Sequence, residues 1–156
     1  QSPEGAEDAY YLSLATPYRT ANQPMSAIEE ILRVRGCDSG ALSLLRRYAT
    51  VLARRTPVNV NTAPPEVLVA IIDGLTLPEA QVLVSNRRTA PFLGRDDFRT
   101  RLPRTELNVN NEDISVDSQF FLIQGRAIVG KADLRMQALV QRTAVTLPAI
   151  VWQRMS

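Results

Sequence analysis

Histidine is absent from these 156 residues, which removes the commonest general base and metal ligand. The single cysteine, Cys37, can form neither an internal disulfide nor a thiolate zinc site, and it reads as a small residue at a helix turn. Lysine is almost missing as well. Lys131 is the only one, so the 18 basic residues are nearly all arginine, a bias that points to genomic composition more than to function. No apolar run approaches the roughly 20 residues needed to cross a bilayer. The opening Gln1-Ser2-Pro3-Glu4-Gly5 lacks the basic-then-apolar pattern of a signal peptide. It has the look of a mid-loop, and the expectation is that any membrane anchor belongs upstream of Gln1. An excess of one charge sign is lacking too: 18 basic residues stand against 16 acidic ones, a net +2, too balanced to imply a polyanionic partner on its own.

These absences weigh against an enzyme. Without histidine, a catalytic centre would need paired carboxylates, a serine–lysine pair, or a cysteine with some other base. The adjacent pairs Glu29-Glu30 and Asp96-Asp97 fall on helical patterns, where neighbouring side chains diverge. They read as caps and solvated faces. Glu7-Asp8, and separately Asn110-Asn111-Glu112-Asp113, carry enough oxygens to attract a hard cation such as calcium. Neither has EF-hand spacing, and an acidic loop is more often only a loop.

What is present suits an ordinary folded protein with one or two small domains: hydrophobic residues make up 45% and charged residues 22%. Residues 1–25 read as a loop pinned by Tyr10, Tyr11 and Tyr18. Helical signals then run to about Leu102. Ser26 and Glu29 have capping-box spacing ahead of a helix over 27–34 that turns at Gly36. Asp38 is placed to cap a second helix with Leu42, Leu44 and Leu45 inward. Thr62 is expected to cap a third, with Val67, Leu68, Ile71 and Ile72 buried and Gly74 at its end. Thr76 and Glu79 form another capping pair, opening a helix over 77–88, and Asp96, Asp97 and Phe98 belong to a last short one. A weak internal repeat relates Pro24-Met25…Glu29-Glu30-Ile31 to Pro91-Phe92…Asp96-Asp97-Phe98. From about Ser115 the period changes. Phe120–Val129 and Leu134–Arg142 alternate around a Gly130-Lys131-Ala132-Asp133 turn, and Pro148–Arg154 reads as a third strand. Residues 115–156 hold no helix of their own, so that sheet must pack on the helical part or on a segment not in this chain.

The stretch Val58-Asn59-Val60-Asn61-Thr62-Ala63-Pro64-Pro65, followed by a helix, a Gly74 turn and a second helix, resembles a helix-hairpin-helix unit. Such units usually hold DNA through backbone amides at a glycine-rich turn, backed by a lysine or arginine. Here the turn reads Asp73-Gly74-Leu75-Thr76-Leu77-Pro78-Glu79. Thr76 replaces the second glycine, Pro78 removes an amide, and Glu79 puts negative charge where a phosphate would sit. The earlier turn Gly36-Cys37-Asp38-Ser39 carries Asp38 in the same way. The arginine pairs Arg46-Arg47, Arg54-Arg55 and Arg87-Arg88 fall near helix ends and linkers. They read as compensation of helix dipoles, solvated faces, or the rims of a protein interface.

Across nearly the whole chain the residues resemble the GspK family, the large minor pseudopilin of bacterial type II secretion. The resemblance is carried, in order, by Asp8-Ala9-Tyr10-Tyr11-Leu12, Pro17-Tyr18-Arg19-Thr20-Ala21-Asn22-Gln23-Pro24, Leu32-Arg33-Val34-Arg35-Gly36 and Tyr48-Ala49-Thr50-Val51. It continues through Val58–Pro64, Pro91-Phe92, Phe120-Phe121-Leu122 and the closing strands. It implies an α+β fold: a helix-hairpin-helix-like domain inserted into a pilin-like domain with a small antiparallel sheet, whose long N-terminal helix would lie upstream of Gln1. The implied division is a connecting segment over 1–25, a helical insertion of two such units over 26–108, and pilin-like strands over 109–156. The implied role is non-catalytic. Family members are held in the inner membrane by that helix and project into the periplasm. They sit at the pseudopilus tip with other minor pseudopilins, and secreted cargo or the outer-membrane channel are further candidate partners. Calcium is implied as well, with Glu7 and Asp8 as candidate ligands. The other reading is a periplasmic DNA-binding module of competence type, against which the two acidic turns weigh.

Overall fold

A computed structural model of the chain describes residues 6–143 and 147–155; the opening Gln1–Gly5 segment lies outside the described residues. The chain divides into two compact units, Gln1–Arg55 and Thr56–Ser156. This division falls inside the span that the sequence suggests is one helical insertion, at the short arginine-proline linker Arg54-Arg55-Thr56-Pro57.

The first unit contains helix α1 (Asp8–Leu12), a 3-10 helix (Ile28–Arg33) and helix α2 (Ser39–Leu45). The expected α-helix over 27–34 is thus a 3-10 helix. Its N-cap is Ala27, so the residue that reaches back is Glu30, not Glu29: the Glu30 carboxylate accepts from both the backbone amide and the hydroxyl of Ser26. Glu29 instead binds Arg46 at 2.7 Å. Gly36 turns the chain with φ +82°, a conformation that costs any other residue a Cβ clash. Asp38 caps α2 as expected, its Oδ1 accepting from the Ala41 amide at 2.8 Å. Of the three leucines expected inward, only Leu42 is buried; Leu44 is 56% and Leu45 36% exposed. At about 100° per residue Leu44 lies across the helix from Leu42, so counting apolar residues misjudged the face.

The second unit holds strand β1 (Val58–Asn59), helices α3 (Pro65–Ile71), α4 (Leu77–Asn86) and α5 (Arg95–Thr100), and strand β2 (Ile114–Ser115). Strands β3 (Phe120–Val129), β4 (Ala132–Gln141) and β5 (Ala149–Met155) follow. β1 and β2 pair in parallel. No alternation announced this pairing, because two residues per strand give no period to read. Thr62 is not a helix cap. Ala63 precedes Pro64, a position biased away from helix, so α3 begins at Pro65 with Pro64 as its extended N-cap. Thr62 sits in the turn before it, where its amide donates to the Asn59 carbonyl at 3.1 Å. Leu68 and Ile72 are wholly buried, and Val67 and Ile71 pack beside them. They meet Ala80 and Leu83 of α4, Phe92, Phe98 of α5, Val60 and Ile114 in one core. The internal repeat is unequal in consequence: Phe92 and Phe98 are core residues, whereas Met25 is 38% exposed and Ile31 only half-buried.

β3, β4 and β5 form an antiparallel sheet in that order. Gly130 (φ +60°) and Lys131 make the tight turn between β3 and β4, as the sequence indicates. A register shift at Leu139/Val140 pairs Val140 with Ile150 but Leu139 with Trp152, leaving Val151 as the extra residue of a bulge.

Candidate functional site

The turn between α3 and α4 is where a phosphate would be held, and its geometry is set by Glu79. Thr76 is the N-cap of α4 and Glu79 its third residue, which closes a capping box. One Glu79 oxygen accepts from the Thr76 amide at 2.9 Å and from its hydroxyl at 2.7 Å. Arg104 lies across the same carboxylate, its Nε donating at 2.9 Å and its Nη2 at 3.2 Å, and Nη2 also donates to the Gly74 carbonyl. The helix N-terminus therefore already holds an anion, an internal one, with a guanidinium neutralising it. The Thr76 amide, then the Thr76 hydroxyl, then Arg104 hold the Glu79 carboxyl down at about 2.

A depressed carboxyl contributes stability that is present above its unfolded value, near 4.5, and is lost as pH falls toward about 2. The Glu79→Gln variant should therefore melt below the wild-type chain at pH 6, with the gap closing between pH 4.5 and 2. Thermal melts across that range test this; a gap that does not change with pH would place the effect elsewhere.

The arginines are mostly spent on the chain itself. Arg87 Nη1 donates to the Val60 carbonyl at 2.6 Å, and burial, followed by the neighbouring Arg88 charge, pushes its pKa down. Arg95 and Arg99 bind the carbonyls of Ile114 and Val109, and Arg101 binds that of Ala90 while lying 4.2 Å from the Phe92 ring centroid. For Arg87 this corrects the expectation of a solvated face; it remains at the C-terminal end of α4, where a cation suits the helix dipole. Such staples are invisible in sequence, because their acceptors are backbone carbonyls 10 or more residues away.

Glu7 and Asp8 sit at the start of α1. Asp8 Oδ1 accepts from both the amide and the hydroxyl of Thr20, at 2.9 and 2.6 Å, which lowers its pKa, the hydroxyl contributing most. Glu7 is exposed and is used through its backbone carbonyl. Calcium takes about 6–8 oxygens, and among the described residues no group of three or more His, Cys, Asp or Glu side chains converges. Two carboxylates supply at most about four of those oxygens, so a calcium ion here would also take carbonyl, hydroxyl or water ligands. In the second oxygen-rich loop, Asn110 Oδ1 accepts from the Glu112 amide and its carbonyl accepts from the Asp113 amide. Those contacts build a turn.

The remaining conspicuous surface is one face of the three-stranded sheet. The register sets Phe121, Ile123, Leu134, Met136, Ile150 and Met155 on the same side, and they are 44–77% exposed. Gly125 and Ala127 of the edge strand β3, Ala138 of the central strand β4 and Gln153 of β5 lie among them. A contiguous apolar patch of this kind marks a surface built to be covered. The opposite side is mixed: exposed Leu122, Ile128 and Trp152 stand beside the ion pair of Arg126 with Asp133 at 2.9 Å and the hydrogen bond of Arg154 to Gln137 at 2.9 Å.

Internally satisfied helices with an uncovered apolar sheet define the class: an α+β protein whose distinctive surface suits association. Comparison with known proteins makes that specific. A model of the family described as type II secretion system protein K matches residues 58–117, and a second model of the same protein matches residues 1–54; the two meet at the boundary between the units. The chain is 30% identical over 146 residues to type II secretion system protein K of Pectobacterium carotovorum subsp. carotovorum, covering 89% of this chain and 44% of the relative. It is 29% identical over 153 residues to the protein of the same name from Klebsiella pneumoniae, covering 94% and 47%. Among solved structures, a chain of the GspK-GspI-GspJ complex of the enterotoxigenic Escherichia coli type 2 secretion system superimposes with a TM-score of 0.76 at 25% identity. That match covers 99% of this chain and 56% of the other. The chain belongs to the type II secretion system protein K family. It spans about half the length of the curated relatives it matches.

Proposed function

We propose that this chain is part of a non-catalytic minor pseudopilin at the tip of the type II secretion pseudopilus. There it assembles with the other minor pseudopilins and supports protein export across the outer membrane. The observation that carries the proposal is the likeness of almost the whole chain to a chain of a complex that contains GspK, GspI and GspJ. The apolar sheet face supports it physically, since such a face needs a helix or another layer over it. In the finer form of the proposal that layer is a pilin-like helix upstream of Gln1. It anchors the protein in the inner membrane while these residues stand in the periplasm, with residues 26–108 as a helix-hairpin-helix-like insertion. Contact with secreted cargo or the outer-membrane channel, and calcium held by Glu7 and Asp8 together with further oxygens, belong to the same proposal.

The test is reconstitution. Versions of the chain with and without upstream residues are mixed with the two partner minor pseudopilins and run on gel filtration, in calcium and in EDTA. Co-elution of the longer version is expected, with calcium strengthening it. Absence of any complex from every version would sink the tip assignment, and a complex indifferent to EDTA would sink the calcium part alone. In the same buffer at low salt, a labelled DNA duplex should stay free at micromolar protein, because Glu79 occupies the anion position. Salt-sensitive retention of the duplex would revive the competence-type reading.

A further inference from the structure

A cleft of about 560 Å³ opens within the first unit, between the extended segment Tyr18–Met25 and the 3-10 helix. Its apolar wall is anchored by Tyr11, which is 5% exposed, with the Tyr18 ring 5.1 Å away, and is continued by Met25 and Val34. The wall is firmly held: the Tyr18 hydroxyl donates to the Arg33 carbonyl at 2.6 Å, and the Tyr11 hydroxyl accepts from the Arg35 amide at 3.2 Å.

Two cations, Arg19 and Arg33, also line the cleft, together with one carboxylate, Glu30. Among the described residues neither guanidinium makes an ion pair or a side-chain hydrogen bond. Asp8 and Glu30 act on Arg19 and Arg33 through their charge, but their hydrogen bonds go to Thr20 and Ser26, so the guanidinium N–H groups stay unpaired. This differs from Arg87, Arg95, Arg99 and Arg101 of the second unit, which bind backbone carbonyls. A third feature points the same way. Ala21, Asn22 and Gln23 pass along the cleft in no helix or strand, and their backbone amides and carbonyls make no hydrogen bond among the described residues. Asn22 turns the segment with φ +48°.

A fixed aromatic wall, two guanidiniums with unpaired N–H groups and a run of unpaired backbone groups together suit one kind of occupant. A small inorganic anion would use the cations and leave the wall empty. An apolar ligand would use the wall and leave the cations and backbone unsatisfied. We propose that this cleft binds an extended peptide segment of a protein partner, one in which a carboxylate side chain adjoins an apolar side chain. The carboxylate meets Arg19 and Arg33, the apolar side chain lies on Tyr11 and Tyr18, and the peptide backbone pairs with Ala21–Gln23. The proposal is independent of the secretion assignment, and its test does not need the other pseudopilins.

Isotope-labelled chain is titrated, by amide NMR, with the blocked peptide Gly-Asp-Leu-Asp-Leu-Gly. The uncharged Gly-Asn-Leu-Asn-Leu-Gly and sodium acetate serve as comparisons. The acidic peptide should produce saturable shifts centred on the amides of Ala21, Asn22, Gln23 and Arg33. Exposed ion pairs are individually weak, so affinity in the high micromolar to millimolar range is expected. The Asn peptide should bind at least about 5-fold more weakly, and the R19Q/R33Q double variant should lose a similar factor. Both arginines are exposed, so that variant should keep its spectrum elsewhere; should it not, weakening of wild-type binding from 50 to 500 mM salt, on the order expected for exposed charges, carries the same information. Absent or scattered shifts, equal binding of the Asn peptide, or the same shifts from acetate alone would each overturn the proposal.

Discussion

Phe98→Ala is expected to destabilise the second unit by about 3–5 kcal/mol, the range for removing a large aromatic from a packed core. Phe98 is 0% exposed and is among the largest fully buried side chains. Its ring meets Phe92 edge-on, with centroids 4.9 Å apart and planes at 88°, an arrangement that adds about 0.5–1.5 kcal/mol beyond area burial. Arg101 caps the far partner, 4.2 Å from the Phe92 centroid, and itself reaches the Ala90 carbonyl. Truncation at Phe98 therefore loosens the Pro91-Phe92 turn as well as α5. Urea unfolding followed by circular dichroism checks this, with Leu93→Ala as the comparison. Leu93 is 89% exposed and its removal should change stability by less than about 0.5 kcal/mol. A Phe98→Ala cost below about 1.5 kcal/mol would mean that the core is not organised around this ring.

Phe98 was readable in the sequence, and the reason applies to much of the fold. Elements whose signal is local came through: the Thr76–Glu79 capping box, the Asp38 cap, the positive-φ turn at Gly74, and the long β3–β4 hairpin around Gly130-Lys131. Ten-residue strands give several full periods, so the alternation of both was legible before any pairing was known. What failed was short or long-range. Six residues of 3-10 helix look like a helix of the ordinary kind, and seven residues of α2 are too few to fix which leucines turn inward. The β1–β2 pair joins Val58 to Ile114, across more than a third of the chain, and nothing at either end advertises the other. The anion-excluding turn was legible in part. Glu79 as the occupant follows from the spacing, while Arg104, 25 residues on, does not. The cleft was not legible at all, because Tyr11, the 18–25 segment and the 3-10 helix that line it are brought together only by the fold.

Asn61→Ala should cost about 2–3 kcal/mol, a large effect for a half-buried polar residue, and the reason lies in what Asn61 clips together. Its Nδ2 donates to the Phe92 carbonyl at 2.9 Å while its Oδ1 accepts from the Phe92 amide at 2.8 Å. Both backbone groups of a residue that is 2% exposed thus depend on one side chain. Alanine would leave each without that partner, at about 1–3 kcal/mol for an unsatisfied buried group. Asn61 is itself oriented by Asn59, whose Oδ1 accepts from the Asn61 amide at 2.9 Å while its Nδ2 donates to Ser118 Oγ at 3.0 Å. The alternating Val-Asn-Val-Asn run therefore buries Val60 on one side and turns two amides to the other, joining β1 to the segment before α5 and to the approach of β3. Asn61→Asp separates geometry from chemistry. It keeps the acceptor for the Phe92 amide but sets an anion against the Phe92 carbonyl, so it should be at least as damaging as alanine at pH 7 and recover partly as the carboxyl protonates in acid. Equal stability of wild type and Asn61→Ala in urea would show that the clip carries no energy. The cost expected here explains the asparagines without a nucleic acid: they satisfy the protein's own backbone, as Glu79 satisfies its own helix N-terminus.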